Sequence, residues 1–357
     1  MDKKRSTQIL SRVTFLDKLL FAKHLAVMLK SGINIAEAIE SIAISTKSNK
    51  FNKVLTQVSV DIANGQSLAK SLKKHPRVFS DFFVSLIEVG EGSGTLDQSL
   101  SYLAEHLAKE YALSKKIQGA LLYPTIVLVA VTLTGIGMSL FVLPQLTNLF
   151  NSLDVDLPIT TVILLYFSNL MKNHGIFIIS SFIGIIILLR ILILKPFFRH
   201  KWDRLLLSLP VFGELIINQQ VSSMCRNLGI MLKSGLPITR SLAIQHGSTE
   251  NYVFKNYLIQ LQKSVNKGKE MGKELDEGSY PKFPEVAIKI IAVGEKTGKL
   301  DEVFLYLGDF FEEEVDNTAK NLSVLLEPTV LLIIGVGVGF VALAIISPIY
   351  ELTGSIR

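Results

Sequence analysis

Two patterns alternate along this chain. In the first, apolar residues recur every three to four positions among charged ones: Leu16, Leu19, Leu20, Val27 and Met28, then Ile35, Ala38, Ile39 and Ile42, then Leu68, Leu72, Phe82, Phe83, Leu86 and Ile87. That period predicts amphipathic helices. In the second, charge almost disappears. Residues 117–153 hold no Asp, Glu, Lys or Arg, residues 176–194 hold only Arg190, and residues 328–350 hold none. A helix needs about 20 apolar residues to cross the hydrocarbon of a bilayer, so each run is a predicted span. No stretch sustains period-two alternation, so essentially no sheet is expected.

The alternation is itself duplicated. Val27-Met28-Leu29-Lys30-Ser31-Gly32 returns as Ile230-Met231-Leu232-Lys233-Ser234-Gly235, an offset of 203 (230 − 27). Val89-Gly90-Glu91 with Gly94, Leu96 and Asp97 returns as Val293-Gly294-Glu295 with Gly298, Leu300 and Asp301, an offset of 204 (293 − 89). Leu121-Leu122-Tyr123-Pro124-Thr125 returns as Leu325-Leu326-Glu327-Pro328-Thr329, again at 204 (325 − 121). Three blocks in one order define a repeated unit. Each unit is a polar helical segment followed by an apolar run. The last helix of each, 96–116 and 300–320, leads into the first and third runs as a near-continuous helix. The second run has no partner in the repeat; it brings the chain back so that both polar segments lie on one side.

These patterns predict an all-α chain with two duplicated cytoplasmic helical bundles and three transmembrane helices. The divisions are a first bundle over 1–119, spans over 120–144, 176–194 and 324–350, an external loop over 145–175, a second bundle over 195–323 and an external tail over 351–357. Lys and Arg orient it, because basic residues stay on the cytoplasmic side. Lys115 and Lys116 precede the first span, Lys195, Arg199, Lys201 and Arg204 follow the second, and Lys320 precedes the third. The intervening 144–175 loop has only Lys172. The N-terminus is therefore expected in the cytoplasm of a multi-pass inner-membrane protein. Lys3, Lys4 and Arg5 are followed by no apolar core, so no secretory signal is expected there.

The net charge of +6 changes the picture only through its distribution. Residues 1–119 carry 17 Lys/Arg against 11 Asp/Glu, and residues 195–320 carry 17 against 16. A basic first bundle beside a membrane suits anionic headgroups or an acidic partner; without nucleic-acid motifs, nucleic acid is not an expected partner. Cys225 is the only cysteine, which excludes an intramolecular disulfide.

Little here points to catalysis. Gly294-Glu295-Lys296-Thr297-Gly298-Lys299-Leu300 resembles a phosphate loop superficially, but the required earlier glycine is Val293 and the residue after Lys299 is not Ser or Thr. The six histidines show no ligand spacing, and no nucleophile–base set stands out, so no enzyme activity, cofactor or metal is expected. The Val-Gly-Glu-x-x-Gly-x-Leu-Asp block reads instead as a helix–turn–helix corner. Gly90 is expected to end one helix and Gly94 to start the turn, with Asp97 offsetting the dipole of the next helix. The alternative for Glu91, Asp97, Glu295 and Asp301 is docking to a partner. Glu312, Glu313 and Glu314 form an acidic patch, either a solvated helix face or a further docking surface. Glycines 135, 137, 335, 337 and 339 offer small surfaces for contact between spans.

The chain resembles the type II secretion system F family, the inner-membrane platform proteins of type II secretion and type IV pilus machines. The resemblance covers about Phe21 to Tyr350. It is carried in the first copy by Leu29-Lys30-Ser31-Gly32, Phe79, Val89-Gly90-Glu91, Gly94-Thr95-Leu96-Asp97 and Tyr123-Pro124. Leu157-Pro158, Trp202-Asp203-Arg204 and Leu209-Pro210-Val211-Phe212-Gly213 follow. The second copy adds Leu232-Lys233-Ser234-Gly235-Leu236-Pro237, Phe283-Pro284, Val293-Gly294-Glu295 and Glu327-Pro328. The resemblance implies six-helix bundles and a non-enzymatic role coupling a cytoplasmic secretion or pilus-assembly ATPase to assembly of pilin or pseudopilin subunits. Other inner-membrane assembly proteins, the lipid bilayer and further copies in a homo-oligomer are the remaining expected partners. The competing function is an oligomeric membrane transporter or channel component.

Overall fold

The computed structural model describes residues 13–138, 159–193, 195–210 and 212–355. Among them every regular element is a helix. The first six are α1 (Phe15–Lys30), α2 (Ile35–Ser45), α3 (Asn49–Ala63), α4 (Leu68–Lys73), α5 (Asp81–Ser93) and α6 (Leu96–Gly137). Two helices without counterparts follow, α7 (Ile159–Ile193) and α8 (Pro196–Leu206). The second set is α9 (Phe212–Lys233), α10 (Ile238–Ser248), α11 (Tyr252–Asn266), α12 (Met271–Glu277), α13 (Glu285–Thr297) and α14 (Leu300–Ser355).

The duplication holds helix by helix. α2 and α10 are both 11 residues, α3 and α11 both 15, and α5 and α13 both 13. α4 has six residues and α12 seven, which accommodates the step from offset 203 to 204. The six glycines with positive φ fall into three repeat-related pairs, Gly32 with Gly235, Gly65 with Gly268 and Gly94 with Gly298. The left-handed conformation costs a residue with a Cβ free energy that glycine escapes, so the punctuation of both bundles is fixed by the same three positions.

The caps have diverged more than the corners. In the first copy Thr14, Asn34, Ser48, Ser67 and Ser80 each accept a backbone N–H at a helix start. In the second, Pro237, Glu270 and Pro284 take the places of Asn34, Ser67 and Ser80 without a side-chain cap, while Asn251, in the place of Ser48, keeps one. At that helix Asp203 of α8 adds a further acceptor from outside the repeat: its Oδ2 accepts the Tyr252 N–H at 2.8 Å at the head of α11. That gives the Trp-Asp-Arg segment a structural task.

Among the described residues, those within 1–116 and 203–317 form one compact unit and those within 117–202 and 318–357 another. The first unit contains both bundles on one continuous hydrophobic core. In the first bundle Phe21, Phe51, Phe79 and Phe83 meet ring to ring, with centroids from 5.0 to 6.2 Å apart. Their counterparts are Met224, Phe254, Phe283 and Ala287, all buried.

In the second unit the described segments are helical: the last part of α6, α7 and the last part of α14. α7 begins at Ile159, well ahead of the apolar run at 176–194, so part of the expected loop is helix. Taken over the described side chains alone, no helix is long and apolar enough to cross a membrane. The underlying sequence of α7 is apolar over residues 176–189 and the helix is 35 residues long. Residues 145–158 of that expected loop lie outside the described residues.

Candidate functional site

The glutamates of the two Val-Gly-Glu blocks bind helix starts. Glu91 on α5 accepts the Leu68 N–H at 2.5 Å through Oε1 and the Ala69 N–H at 2.9 Å through Oε2. Glu295 on α13 repeats this with the Met271 N–H at 2.7 Å and the Gly272 N–H at 2.8 Å. The first N–H groups of a helix have no intrahelical partner, and a carboxylate there gains charge-assisted bonds as well as the dipole interaction. Each glutamate therefore ties a helix too short to be stable alone onto the following one.

Gly90 lies within α5 rather than at its end. The helix continues to Ser93, and Gly94 closes it in the left-handed conformation at φ 74°. Gly90 is glycine for a different reason. A Cβ there would lie 2.6 Å from Ser99 Oγ and 3.0 Å from Leu96 Cα. At Gly294 it would meet Val303 Cγ2 at 2.7 Å. The expected corner is present, but Gly90 serves close packing and Gly94 alone makes the turn. Asp97 and Asp301 stand in the first turns of α6 and α14, as the dipole argument expects.

Between the bundles runs a charged seam that the motifs do not announce. Arg226 on α9 is buried. It donates through Nη1 to Asp309 Oδ1 at 3.0 Å, and through Nη2 to Glu312 Oε2 and the Gly308 carbonyl. Asp309 Oδ1 also accepts from Lys109 Nζ of the other bundle at 2.8 Å. Lys116 pairs with Asp316 one heptad further on. The two pairs, 109 with 309 and 116 with 316, advance by seven residues on each helix, so α6 and α14 run side by side in the same direction here. Desolvation opposes the charge on Asp309, but the Lys109 and Arg226 contacts outweigh it and hold its carboxyl below the usual range. His106 is buried beside this seam. Desolvation, aided by the positive charges of Arg226 and Lys109, pushes its pKa down to about 3. It is neutral at pH 7, and its Nδ1 lacks a hydrogen-bond partner.

The seam takes one of the seven carboxylates singled out from the sequence, Glu312, into an internal ion pair. Glu313 is exposed and Glu314 half-buried on the same helix. Arg226, Lys109 and Asp309 drew no attention in the sequence. The signal for Arg226 was available, since a lone arginine stands among small and apolar residues from Val221 to Met231. Cys225 is fully buried and burial pushes its thiol up, so it acts as packing. Among the described residues no group of His, Cys, Asp and Glu is arranged to hold a metal ion.

Geometry of this kind, short helices tied by carboxylates into two docked bundles, defines a duplicated helical scaffold. The family described as "Type II secretion system (T2SS), protein F" matches residues 21–144 and again residues 224–348, and the chain belongs to that family. It is similar to the type IV pilus assembly protein PilC of Pseudomonas aeruginosa, with 29% identity over 342 residues, covering 96% of this chain and 91% of that protein. It is 31% identical over 344 residues to the type IV pilus assembly protein PilC of Thermus thermophilus, covering 95% and 83%. Against the type II secretion system protein F of Pseudomonas aeruginosa it is 29% identical over 337 residues, covering 94% and 82%.

Proposed function

We propose that this chain is a non-enzymatic inner-membrane platform of a type IV pilus or type II secretion machine, coupling a cytoplasmic ATPase to assembly of pilin or pseudopilin subunits. The observation that carries it is the double family match, which falls once on each bundle together with most of the apolar run that follows. A shared seam supports a coupling role, because force applied to one bundle reaches the other through buried and charge-assisted contacts rather than a flexible linker.

The membrane assignment rests on the three apolar runs. Spans over 120–144, 176–194 and 324–350, with both bundles cytoplasmic and residues 145–175 and 351–357 external, satisfy the distribution of Lys and Arg. Reporter fusions at Asp61 and Glu270 should read cytoplasmic, and fusions at Asp156 and Gly354 external. A cytoplasmic signal at Asp156 would remove the three-span arrangement. For the machine itself, deleting the chain from its host should abolish pili or secretion while pilins or pseudopilins stay in the membrane. Intact pili and intact secretion after deletion would overturn the platform role. Ion or solute flux through the purified chain in vesicles, with assembly unaffected, would favour a transporter or channel.

The docking surfaces for the ATPase are proposed among Asp97, Asp301, Glu313 and Glu314. Glu91, Glu295 and Glu312 already have internal partners, so their substitution acts on the fold as well as on any partner.

A further inference from the structure

Within one chain the two bundles meet head to tail. The α9–α10 face of the second copy packs against the α5–α6 face of the first: α10 lies on α5, Arg240 pairs with Glu88 at 2.7 Å, and Lys233 Nζ sits 5.3 Å from the centre of the Tyr102 ring. Such a contact uses different surfaces on the two partners, and each partner keeps one of them unused. The repeat identifies the unused pair.

On the second copy the unused face is α13–α14. Phe82 is 5% exposed, whereas its counterpart Val286 is 53% exposed. Val89 is half-buried and its counterpart Val293 is 60% exposed; Tyr102 is half-buried and its counterpart Tyr306 is 57% exposed. On the first copy the unused face is α1–α2. Ile230 is 7% exposed and Leu236 4%, whereas their counterparts Val27 and Ile33 are 60% and 37%. Each copy thus leaves bare the apolar face that the other covers. Contiguous exposed apolar surface of this kind marks an interaction site.

We infer that a second copy of this chain docks its α1–α2 face on the α13–α14 face of the first, continuing between chains the contact the bundles make within one. This deepens the homo-oligomer expected of the platform and rests on the fold alone. The cation–ring contact carries over, because Lys30 and Tyr306 are the repeat counterparts of Lys233 and Tyr102 (233 − 203, 102 + 204). Lys23 replaces Arg226 at the centre. The parallel course of α6 and α14 matters here. A contact that keeps those helices pointing the same way lets successive chains enter one bilayer with one orientation. The ion pairs do not carry over. Lys109 and Asp309 become Glu313 and Glu105, and Arg240 and Glu88 become Glu37 and Ala292. The contact between chains therefore depends on apolar burial, is weaker than the contact within a chain, and strengthens as salt screens the glutamates.

The test uses the full-length protein in lipid nanodiscs. Two differently tagged forms, Lys30→Cys and Tyr306→Cys, are co-expressed and treated with a short bismaleimide. Cys225 stays silent because it is buried. A covalent heterodimer of the two forms is expected, alongside an intrachain link in a Tyr102→Cys, Lys233→Cys chain as the positive control. A working control with no heterodimer, or with a Tyr306→Cys homodimer in its place, would overturn the inference. Val27→Asp and Val293→Asp, both at exposed positions, should each raise the concentration at which oligomers dissociate at least tenfold. Their helix content and melting temperature should match the parent. Unchanged dissociation for both variants would likewise overturn it, and would leave the platform role standing, because that rests on the family match.

Discussion

Lys109 and Asp309 meet at 2.8 Å between the two copies, although the repeat relates Lys109 to Glu313 and Asp309 to Glu105. Charge is reversed between the copies at the first of these positions and kept at the second. Two units that both carried the second copy's residues would place Glu against Asp, like charges, across this seam. The reversal makes the contact one-way, with the basic member on α6 and the acidic member on α14. Duplication supplied the fold, and later divergence at a few positions fixed which face of one copy receives the other.

Arg226 is the centre of that seam. Removing it leaves Asp309 and Glu312 close together without their cation, and breaking a buried pair from one side costs more than the pair contributes. Asp309 keeps Lys109 and is substantially exposed, which moderates the loss. Arg226→Ala should therefore destabilise the full-length protein by about 2–3 kcal/mol, and Arg226→Lys by less, because the charge returns without the fork. Thermal unfolding of the two variants in detergent measures this. Equal melting temperatures for Arg226→Ala and the parent would mean that the seam contributes nothing to stability.

His106 should make the protein acid-sensitive well above the carboxylate range. Its pKa is depressed in the fold to about 3, whereas an exposed histidine titrates near 6.5. The unfolded chain therefore binds the proton first. The stability contribution is complete above pH ~6.5 and declines as the pH falls toward 3. Between pH 6.5 and 5 the loss is about 1.5 kcal/mol. Phe310 occupies the equivalent place in the second copy, so His106→Phe is a substitution this fold already accommodates. It should flatten the pH dependence of the melting temperature over that interval. A variant that loses stability with acid as steeply as the parent would refute a buried neutral His106.

The two glycines of each corner should fail differently. Gly94 has open space around it, so Gly94→Ala meets only the left-handed backbone and should cost about 1 kcal/mol. Gly90→Ala would bring a Cβ against Leu96 Cα, which belongs to the backbone and cannot rotate away. The α5–α6 crossing must open, at a cost of about 2–3 kcal/mol or more. Chemical denaturation of both variants gives the order, and a milder effect at Gly90 would contradict the close approach.

Much of this architecture was legible because it is periodic. Helical spacing, repeated glycines and the duplicated blocks identify the all-α class and the two copies without any contact being known. The corner was half legible. Gly94 reads correctly as a turn glycine, but Gly90 looks the same in sequence and serves a packing contact that only the crossing of α5 and α6 creates. Glu91 shows the same limit. Its partners, Leu68 and Ala69, lie 23 and 22 residues away, and backbone N–H groups leave no mark in a sequence. The seam was the least legible feature. Lys109 and Asp309 are 200 residues apart, each ordinary on a charged helix, and they become a pair only when the two copies dock.

Glu91 and Glu313 separate the structural and docking roles of the carboxylates. Glu91→Lys places a cation against the start of α4 and removes two charge-assisted hydrogen bonds. Each such bond contributes about 1.5–3 kcal/mol, so the variant should unfold at a markedly lower temperature. Glu91→Gln, which keeps one acceptor oxygen, should fall between the two. Glu313 is exposed on α14, and Glu313→Lys should leave the melting temperature within about 0.5 kcal/mol of the parent in stability. If Glu313 faces the secretion ATPase, its reversal should weaken binding of the still-folded protein and alter the salt dependence of that binding, whereas a Glu313 set against Glu105 of a neighbouring copy would instead tighten the contact between copies on reversal. Titrating the purified ATPase against both variants in nanodiscs, at low and high salt, reads each effect separately. Unchanged affinity for folded Glu313→Lys would remove that position from the motor surface. A Glu91→Lys protein of normal stability would remove the helix cap as the reason for glutamate there.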